Sequence, residues 1–389
     1  MSQPTIMFNN SHPMALPYRN GPSQSYGYPD GVTLKDFVPE EIKDLVHPHW
    51  YNYAPVNPMW HYLLGSVYII LGTISVLGNA VVIYLFFKSK SLRTPANMLV
   101  VNMAFADFIM TFSNYPMFIY NSFHGGVWMF SGFACSIYGA LGGVTGVCTI
   151  WTLAMISFDR YNIICNSFNG PKLTTGKALA CITWCWTMAL FWNGLPFFGW
   201  GRYTLEGILD SCSFDYLSTD FNNTSYTLTI FVCDYCIPLS IVVGAYVFIV
   251  RAIFAHEKSM RDQAKKMNVA KLRTSEAEAQ RAEIRITKTA IMNVMLWVCC
   301  WTPYATIAVR GVLGDRSVIT PLVTILPALL TKTLSCFNPF VYAISHPKYR
   351  QAITEHMPWF CVYEPNHSKA DDTKSTATVS SPINKEEKA

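Results

Sequence analysis

Charge is scarce in this sequence of 389 residues: Asp, Glu, Lys and Arg make up 14% of it, the same share as the aromatic residues. A soluble domain carries charged residues at about a quarter of its positions. The net charge of +5 is small, so the composition gives no reason to expect nucleic acid as a partner. With 51% apolar residues, the sequence predicts a protein that crosses a membrane several times.

Three further patterns are absent. The N-terminus lacks a basic stretch followed by an apolar one, so we expect no cleaved signal peptide. Cys233 and Cys236 have no second cysteine pair that would complete a metal site. Most of the 12 cysteines lie in apolar segments, where thiols act as small hydrophobic groups. No inverted internal repeat is visible, which argues against a transporter or channel.

Seven apolar segments account for most of the chain. Each has about the 20 residues that a helix needs to cross a bilayer, and a spanning backbone must satisfy its own hydrogen bonds. We therefore expect an all-α membrane protein, a seven-transmembrane helix bundle over residues 59–345, after a polar extracellular tail over 1–58. The predicted spans are 60–87, 96–122, 132–164, 177–200, 226–254, 284–311 and 319–344.

The short loops set the expected orientation. The loop after the first segment carries Lys88, Lys90 and Arg93, and the region 255–283 is dense in basic residues. Basic loops stay in the cytoplasm, so we expect a multi-pass plasma-membrane protein with its N-terminus outside.

The C-terminal region is predicted to hold a surface helix and a tail. Residues 346–361 form a short amphipathic stretch that is expected to lie along the membrane. Its apolar residues should face lipid: Tyr349, Ile353, Met357 and Phe360. Cys361 is either palmitoylated or a free thiol. Residues 362–389 are rich in Ser, Thr, Lys and Glu and are expected to form a disordered cytoplasmic tail.

Lys332 lies in the middle of the seventh segment, where an ionisable group costs about 2.5–3.5 kcal/mol. Apolar and small residues flank it on both sides, so its side chain cannot easily reach water. An unprotonated amine in an apolar pocket is a nucleophile toward an aldehyde and forms an imine. We therefore interpret Lys332 as the attachment point of an aldehyde cofactor.

A protonated imine needs an opposite charge nearby. Glu206, in the loop between the fourth and fifth segments, is the best candidate, and Asp210 and Asp215 follow farther from the span. The alternative is that Glu206 is a solvated loop acid. Arg160, close to the end of the third segment, has the alternative role of reaching the headgroups with its long side chain.

Prolines interrupt three of the predicted helices. Pro238, Pro303 and Pro339 each remove one backbone hydrogen bond and should kink the helix. Kinked helices around an internal site are expected of a bundle that moves between two states.

Short motifs stand at set places in the seven segments. They are Gly78-Asn79, Asp107, Asp159-Arg160-Tyr161, Trp186, Cys300-Trp301-Thr302-Pro303 and Asn338-Pro339-Phe340-Val341-Tyr342. This set resembles the motifs of the rhodopsin-class G-protein-coupled receptors over the whole bundle. Within that class a lysine six residues before the Asn-Pro motif marks the opsins, and Lys332 stands there.

Finer features resemble the rhabdomeric opsins of arthropods. They include His47-Pro48-His49-Trp50, His256-Glu257-Lys258 and Tyr138, three residues after Cys135. Vertebrate visual opsins carry a glutamate counterion at the Tyr138 position. The resemblance therefore moves the counterion role to Glu206 or to a network of the Tyr138 hydroxyl, and both remain open.

Two stretches, residues 116–123 and 263–268, resemble the short-wavelength branch of these opsins. The ultraviolet members of that branch carry a lysine at the position of Asn114. A neutral residue there implies a protonated Schiff base and blue absorption, unless other pocket residues dominate the tuning.

The resemblance implies a cofactor, 11-cis retinal or 3-hydroxyretinal, bound to Lys332. It implies that Trp301 packs against the polyene as a rigid aromatic. It also implies a disulfide between Cys135 and Cys212, which would tie the loop of Glu206 over the pocket.

The resemblance further implies that the protein is a receptor and not an enzyme. It also implies a conformational switch. Arg160 would be held by Asp159 and Glu283 until the sixth segment moves, and Tyr342 would then turn inward. Residues between the pocket and the switch would form a polar core: Asn79, Asp107, Asn338 with Pro339 beside it.

The expected partners are a Gq-type G protein, arrestin and a receptor kinase, in a rhabdomeric photoreceptor membrane. Phosphorylation is expected on Ser375, Thr376, Thr378, Ser380 and Ser381. Glycosylation is expected on Asn9, with Asn222 and Asn223 as less accessible sequons. The rival functions are a retinal photoisomerase of the same fold and a receptor for a diffusible amine or peptide.

Overall fold

The structure is a computed structural model that describes residues 28–29, 31–166, 170–266, 275–345 and 347–360. It is built mainly of helices, which we number along the chain. They are α1 (Met59–Lys88), α2 (Pro95–Phe123), α3 (Gly132–Cys165), α4 (Thr175–Gly194), α5 (Phe221–Ile230), α6 (Ile237–Lys266), α7 (Ser275–Val312), α8 (Pro321–Ser345) and α9 (Pro347–His356). Short 3-10 helices cover Leu34–Phe37, Glu40–Leu45, Pro48–Asn52, Lys90–Leu92, Leu195–Phe198 and Pro358–Phe360.

The seven predicted spans correspond to α1–α4, the continuous rod of α5 and α6, α7 and α8. Within the described residues, 6 of these are long and apolar enough to cross a membrane by length and composition alone. The further helix, α8, carries Lys332, Asn338 and two internal prolines, Pro327 and Pro339. The bundle confirms the predicted fold class.

Helix α3 lies at the centre of the bundle. It packs against α2, α4, α6 and α7 and also against the hairpin described below. Of the 18 most apolar consecutive residues in α3, 61% are buried, compared with 17% of those in the rod of α5 and α6. We therefore expect α3 to contribute more residues to an internal site than the other helices do.

A π turn, Phe231–Cys236, joins α5 to α6. Pro238 follows it, and because proline has no N–H, the backbone ahead of it cannot keep the regular α pattern. The predicted interruption at Pro238 takes this form. Pro303 and Pro339 lie inside α7 and α8, as predicted, whereas Pro116 inside α2 is a further internal proline.

Two short strands, β1 (Tyr203–Glu206) and β2 (Ser211–Phe214), form an antiparallel hairpin over one end of the bundle, which we call the hairpin end. In the hairpin Leu205 pairs with Cys212, and Glu206 pairs with Ser211. The tight turn between the strands places Leu209 at φ 66. The hairpin packs on α3 and thus closes the space between the helices.

The described part of the N-terminal segment is folded, whereas its sequence predicts a polar tail. Its 3-10 helices bury apolar side chains against the hairpin and the start of α3. These side chains recur at every fourth position: Leu34, Val38, Ile42, Val46 and Trp50. Val46 also forms a parallel bridge with Leu205 of β1. The N-terminal segment and the hairpin therefore build one layer, which we call the plug.

Helix α9 follows α8, but its predicted lipid-facing side is wrong in part. Tyr349 and Ile353 are buried against the bundle, where α9 packs on α1 and α8. Met357 is half-buried, and Phe360 is exposed as predicted. The position of α9 along a membrane surface stays a prediction. Three sets of expectations lie outside the described residues: Asn9, Cys361 and the tail 362–389.

Candidate functional site

A cavity lies between α3, the α5–α6 rod, α7, α8 and the hairpin. Its empty volume, including its open mouth, is about 1210 Å³. Aromatic and small side chains form most of its wall, and Lys332, Glu206, Asp107 and Asp234 are the charged residues on it. An apolar pocket with few polar groups is typical of a small-molecule site.

Glycines of α3 make room for this cavity. Gly139, Gly142, Gly143 and Gly146 all line it. A Cβ at Gly146 would overlap the Trp301 indole, so the aromatic ring can stand against the α3 backbone only because no side chain is there. The Trp301 ring is stacked on Trp297, with centroids 5.6 Å apart.

Lys332 projects from α8 into the cavity. Its Nζ lies 5.3 Å from the centroid of the Tyr138 ring, within the range of a cation–π contact. Tyr115 donates a hydrogen bond of 3.0 Å to the Lys332 carbonyl oxygen, which fixes the backbone behind the side chain.

Asn114 of α2 shares the space around the lysine amine. A Cβ built on Gly142 would lie 3.7 Å from Lys332 Nζ and 3.4 Å from Asn114 Nδ2. Asn114 is fully buried and donates a hydrogen bond of 3.0 Å to the Tyr138 carbonyl oxygen. Asn114 and the Lys332 amine thus face the same glycine of α3.

Glu206 stands at the end of β1 and is buried. Its Oε2 accepts hydrogen bonds from Tyr304 at 2.9 Å and Tyr216 at 3.2 Å. Burial raises the pKa of Glu206 from 4.5 to about 7, while the Tyr304 hydrogen bond, the charge of Lys332 and the Tyr216 hydrogen bond lower it. Glu206 is therefore not a solvated loop acid, although within the described residues it forms no ion pair with Lys332 at 4.0 Å or less.

The Tyr138 hydroxyl does not belong to the Glu206 network. It is buried and has no hydrogen-bond partner among the described residues. Tyr138 faces Lys332 with its ring instead, while the hydroxyls that donate to Glu206 belong to Tyr304 and Tyr216. No local pattern marks these two tyrosines, because they come from α7 and from the chain after β2.

The other two candidate acids have different surroundings. Asp215 pairs with Arg202 at 2.7 Å. Asp210 is fully buried, 3.8 Å from the ring of His61, and burial raises its pKa. Several buried polar atoms of this region form no hydrogen bond with any described residue: His61 Nδ1, Tyr68 OH, Ser211 Oγ and both Asp210 carboxyl oxygens.

The predicted disulfide is present. Cys135 at the start of α3 is bonded to Cys212 of β2, with their Cα atoms 5.4 Å apart. It ties the hairpin to the central helix and so fixes the strand next to Glu206. Among the sequons, Asn222 is exposed, whereas Asn223 is buried and donates to Asp220.

At the opposite end of the bundle, Arg160 is held as the resemblance implies. It forms ion pairs with Asp159 of its own helix and with Glu283 of α7. Tyr161 beside it places its ring 5.9 Å from Phe248. Tyr342 is buried, with no partner for its hydroxyl among the described residues.

A chain of polar contacts lies between the two ends. Asn338 donates to Asp107 at 2.5 Å. Within the described residues Asn79 forms no hydrogen bond with either residue; it donates to the Ser335 carbonyl oxygen of α8 at 2.9 Å. Asp107 and Asn338 are therefore joined directly, and Asn79 is joined to the backbone of α8.

Comparisons with known proteins agree with this geometry. Residues 78–342 match the family described as 7 transmembrane receptor (rhodopsin family). The chain is 64% identical to compound eye opsin BCRH2 of Hemigrapsus sanguineus, over 94% of this chain and 97% of that protein. It is 60% identical to compound eye opsin BCRH1 of the same organism, over 96% and 98%.

A solved structure is similar as well. The crystal structure of squid rhodopsin matches with a TM-score of 0.78 and 37% sequence identity, covering 88% of this chain and 98% of that one.

Proposed function

The chain belongs to the rhodopsin family of seven-transmembrane receptors and within it to the opsins, and on that premise we propose that Lys332 binds 11-cis retinal or 3-hydroxyretinal as a Schiff base. As an opsin it is a receptor and not an enzyme. The observation that carries the proposal is the amine of Lys332, which stands in an apolar cavity over the Tyr138 ring. The apolar wall of the cavity suits the apolar polyene of such an aldehyde.

The residues around Lys332 would stabilise the positive charge of the protonated Schiff base. Glu206 supplies the opposite charge, and Tyr304 and Tyr216 hold its carboxylate in place. The Tyr138 ring faces the same amine with its negative π surface. The Glu206 alternative is therefore better supported than the hydroxyl network of Tyr138.

The bound cofactor supplies the response to light, because absorption changes its shape. Trp301 stands directly against the α3 backbone at Gly146, so this part of the wall would resist a ligand that changes its shape. The resulting difference in free energy between the resting and the active bundle would shift a two-state equilibrium of the helices. Loss of the Arg160–Glu283 contact would free α7 and open the end of the bundle to a G protein.

We assign a Gq-type G protein, arrestin and a receptor kinase as partners, on the resemblance to rhabdomeric opsins. The N-terminus, and with it the plug, would lie outside the cell. The ion pairs of Arg160 favour a signalling receptor over a retinal photoisomerase, since that end of the bundle has the contacts of a switch.

We further propose that the pigment belongs to the short-wavelength branch and absorbs blue light. Asn114 is neutral and faces the same glycine, Gly142, as the Lys332 amine, so no positive charge at that position opposes a protonated Schiff base. An Asn114→Lys variant should shift the absorption of the dark pigment to the ultraviolet. A wild-type absorption maximum below about 380 nm would contradict the proposal, because it would indicate an unprotonated Schiff base.

Covalent attachment is tested with the purified full chain and 11-cis retinal. After acid trapping and proteolysis, retinal should be found by mass on Lys332, and Lys332→Ala should form no covalent pigment. Lys177→Ala, at the exposed start of α4, is the matched control and should form it normally. A pigment that persists in Lys332→Ala would refute the assignment.

Signalling is tested separately by nucleotide exchange on a purified Gq-type G protein. Light should accelerate the exchange in the wild-type pigment. Light-driven isomerisation of the retinoid with no exchange on any G protein class would favour the photoisomerase instead.

A further inference from the structure

Three acidic residues line the cavity: Asp107, Glu206 and Asp234. The first two are satisfied by protein donors, Asp107 by Asn338 and Glu206 by two tyrosines. Asp234 is 9% exposed, and its Oδ1 is buried with no hydrogen-bond partner among the described residues. An unpaired buried carboxyl group is costly, so its retention in the cavity wall needs an explanation.

The π turn explains how an acid reaches this wall. Asp234 lies in the middle of the turn Phe231–Cys236. A π turn inserts an extra residue and rotates the side chains before it relative to those after it, and such turns are frequent at functional sites. Phe231, Asp234 and Tyr235 all line the cavity from this short segment.

Asp234 lies far from the amine along the cavity. The indole of Trp151 lies near its carboxyl group, and Trp151 Nε1 has no hydrogen-bond partner among the described residues either. The Lys332 amine lies at the level of Gly142 on the same helix α3. Nine residues of α helix separate Gly142 from Trp151, which is about 13 Å. An extended ligand attached at Lys332 would place its far end near Asp234.

The surroundings of Asp234 suit the ring of such a ligand. Tyr235 lies 5.4 Å from Trp297, and Trp297 is stacked on Trp301. These aromatic faces would hold an apolar ring, while the carboxyl group beside them offers one polar contact.

We propose that Asp234 forms a hydrogen bond with a hydroxyl group on the ring of the retinoid, so that the chain selects a ring-hydroxylated 11-cis retinal over the unsubstituted one. This inference rests on the proposed function, because it needs the aldehyde end on Lys332. A site built to bind a hydroxyl group rejects the analogue that lacks it, since its buried polar group is then left unpaired. The specificity is thus set at the end of the pocket opposite to the Schiff base.

The experiment is a competition between the two aldehydes. The purified full chain is incubated with equal amounts of 11-cis retinal and its 3-hydroxy derivative, and the retinoid on Lys332 is then trapped and identified by mass. We expect the hydroxylated form to be enriched at least about 10-fold, the factor that corresponds to 1.4 kcal/mol. Asp234→Leu should form pigment with both aldehydes at near parity.

Two further variants keep the test interpretable. Cys233→Ala changes the neighbouring residue, which is not part of the cavity wall, and should keep the wild-type preference. Asp234→Asn keeps a hydrogen-bonding group of the same size and should retain part of the preference even if Asp234→Leu does not fold.

Infrared spectra give a readout that does not depend on signalling. The carboxyl band of Asp234, identified by its loss in Asp234→Asn, should differ in frequency between pigments made with the two aldehydes. Equal incorporation by the wild type, or a preference that Asp234→Leu leaves unchanged, would overturn the inference and show that Asp234 is paired with water and Trp151. Failure of both aldehydes to form a pigment would overturn the proposed function instead.

Discussion

Glu206 is the residue whose charge matters most to the proposed Schiff base. Replacing it by Gln removes the negative charge, so the Schiff base should lose its proton more easily and its pKa should fall by about 1–3 units. The measurement is a titration of the visible absorption of the dark pigment. Tyr304→Phe removes one donor and keeps the charge, so its shift should be smaller. An unchanged Schiff-base pKa in Glu206→Gln would exclude Glu206 as the counterion.

The raised pKa of Glu206 gives a second prediction for the retinal-free chain. Because burial raises its pKa to about 7, the carboxyl group should be mostly protonated at pH 6 and mostly ionised at pH 8. Infrared difference spectra between these two values should show the loss of one protonated carboxyl band on raising the pH. The same band should be missing from the difference spectrum of Glu206→Gln.

At the residue scale, a role is easiest to predict from the sequence where a single residue is costly in its place. Lys332 stands out because an ionisable group interrupts an apolar span. Asp234 carries the same signal in the fifth span, but the spacing of its neighbours Cys233 and Cys236 is the more conspicuous pattern there. Tyr304 and Tyr216 could not be predicted, because their role exists only where α7 and the chain after β2 meet.

Among the elements, the hairpin depends most on one covalent bond. The Cys135–Cys212 disulfide closes a loop with a sequence separation of 77 residues. Its removal in Cys135→Ser should cost about 2–5 kcal/mol and lower the temperature at which the pigment loses its visible absorption. Cys299→Ser, at an exposed free cysteine, is the control and should leave that temperature unchanged.

The N-terminal segment is predicted to stabilise the bundle through one anchor. Trp50 is fully buried in the plug, so Trp50→Ala should destabilise the chain by about 3–5 kcal/mol. Phe37 in the same segment is 40% exposed, and Phe37→Ala should have little effect. The measurement is the thermal midpoint of each purified variant. A lower midpoint for Trp50→Ala alone indicates a packed segment, and unchanged midpoints for both variants indicate a loose tail.

These elements also show where the sequence is hard to interpret. The apolar positions of the N-terminal segment repeat every four residues, but prolines and polar residues interrupt them, so the segment looks like a tail. The apolar side of α9 could face either lipid or protein, because hydrophobicity alone does not distinguish the two. Packing against α1 and α8 decides it for Tyr349 and Ile353.

In the proposed function, the contact between α3 and α7 would hold the whole molecule in one state. Glu283→Gln removes the charge that faces Arg160, so activation of the G protein in the dark should rise about 5-fold or more, the lower end of typical coupling between sites. Nucleotide exchange before illumination measures it. Glu257→Gln breaks an exposed pair with Arg261 within α6 and should leave dark activity unchanged.

The architecture of the bundle follows from the sequence because each span must satisfy its own backbone in lipid. Seven apolar segments therefore specify seven helices with little help from tertiary contacts. The plug is different, since it assembles from the N-terminal segment, the hairpin and the start of α3, which are distant in the chain. Only the structure brings them together.

The plug has a further consequence for the absorption spectrum of the pigment. The proposed counterion is carried by a strand of the plug and not by a helix of the bundle. The absorption maximum would therefore depend on the folding of the plug, even though the chromophore would lie among the helices. A preparation whose plug is misassembled should be recognised by its absorption spectrum before any loss of helix content is detectable.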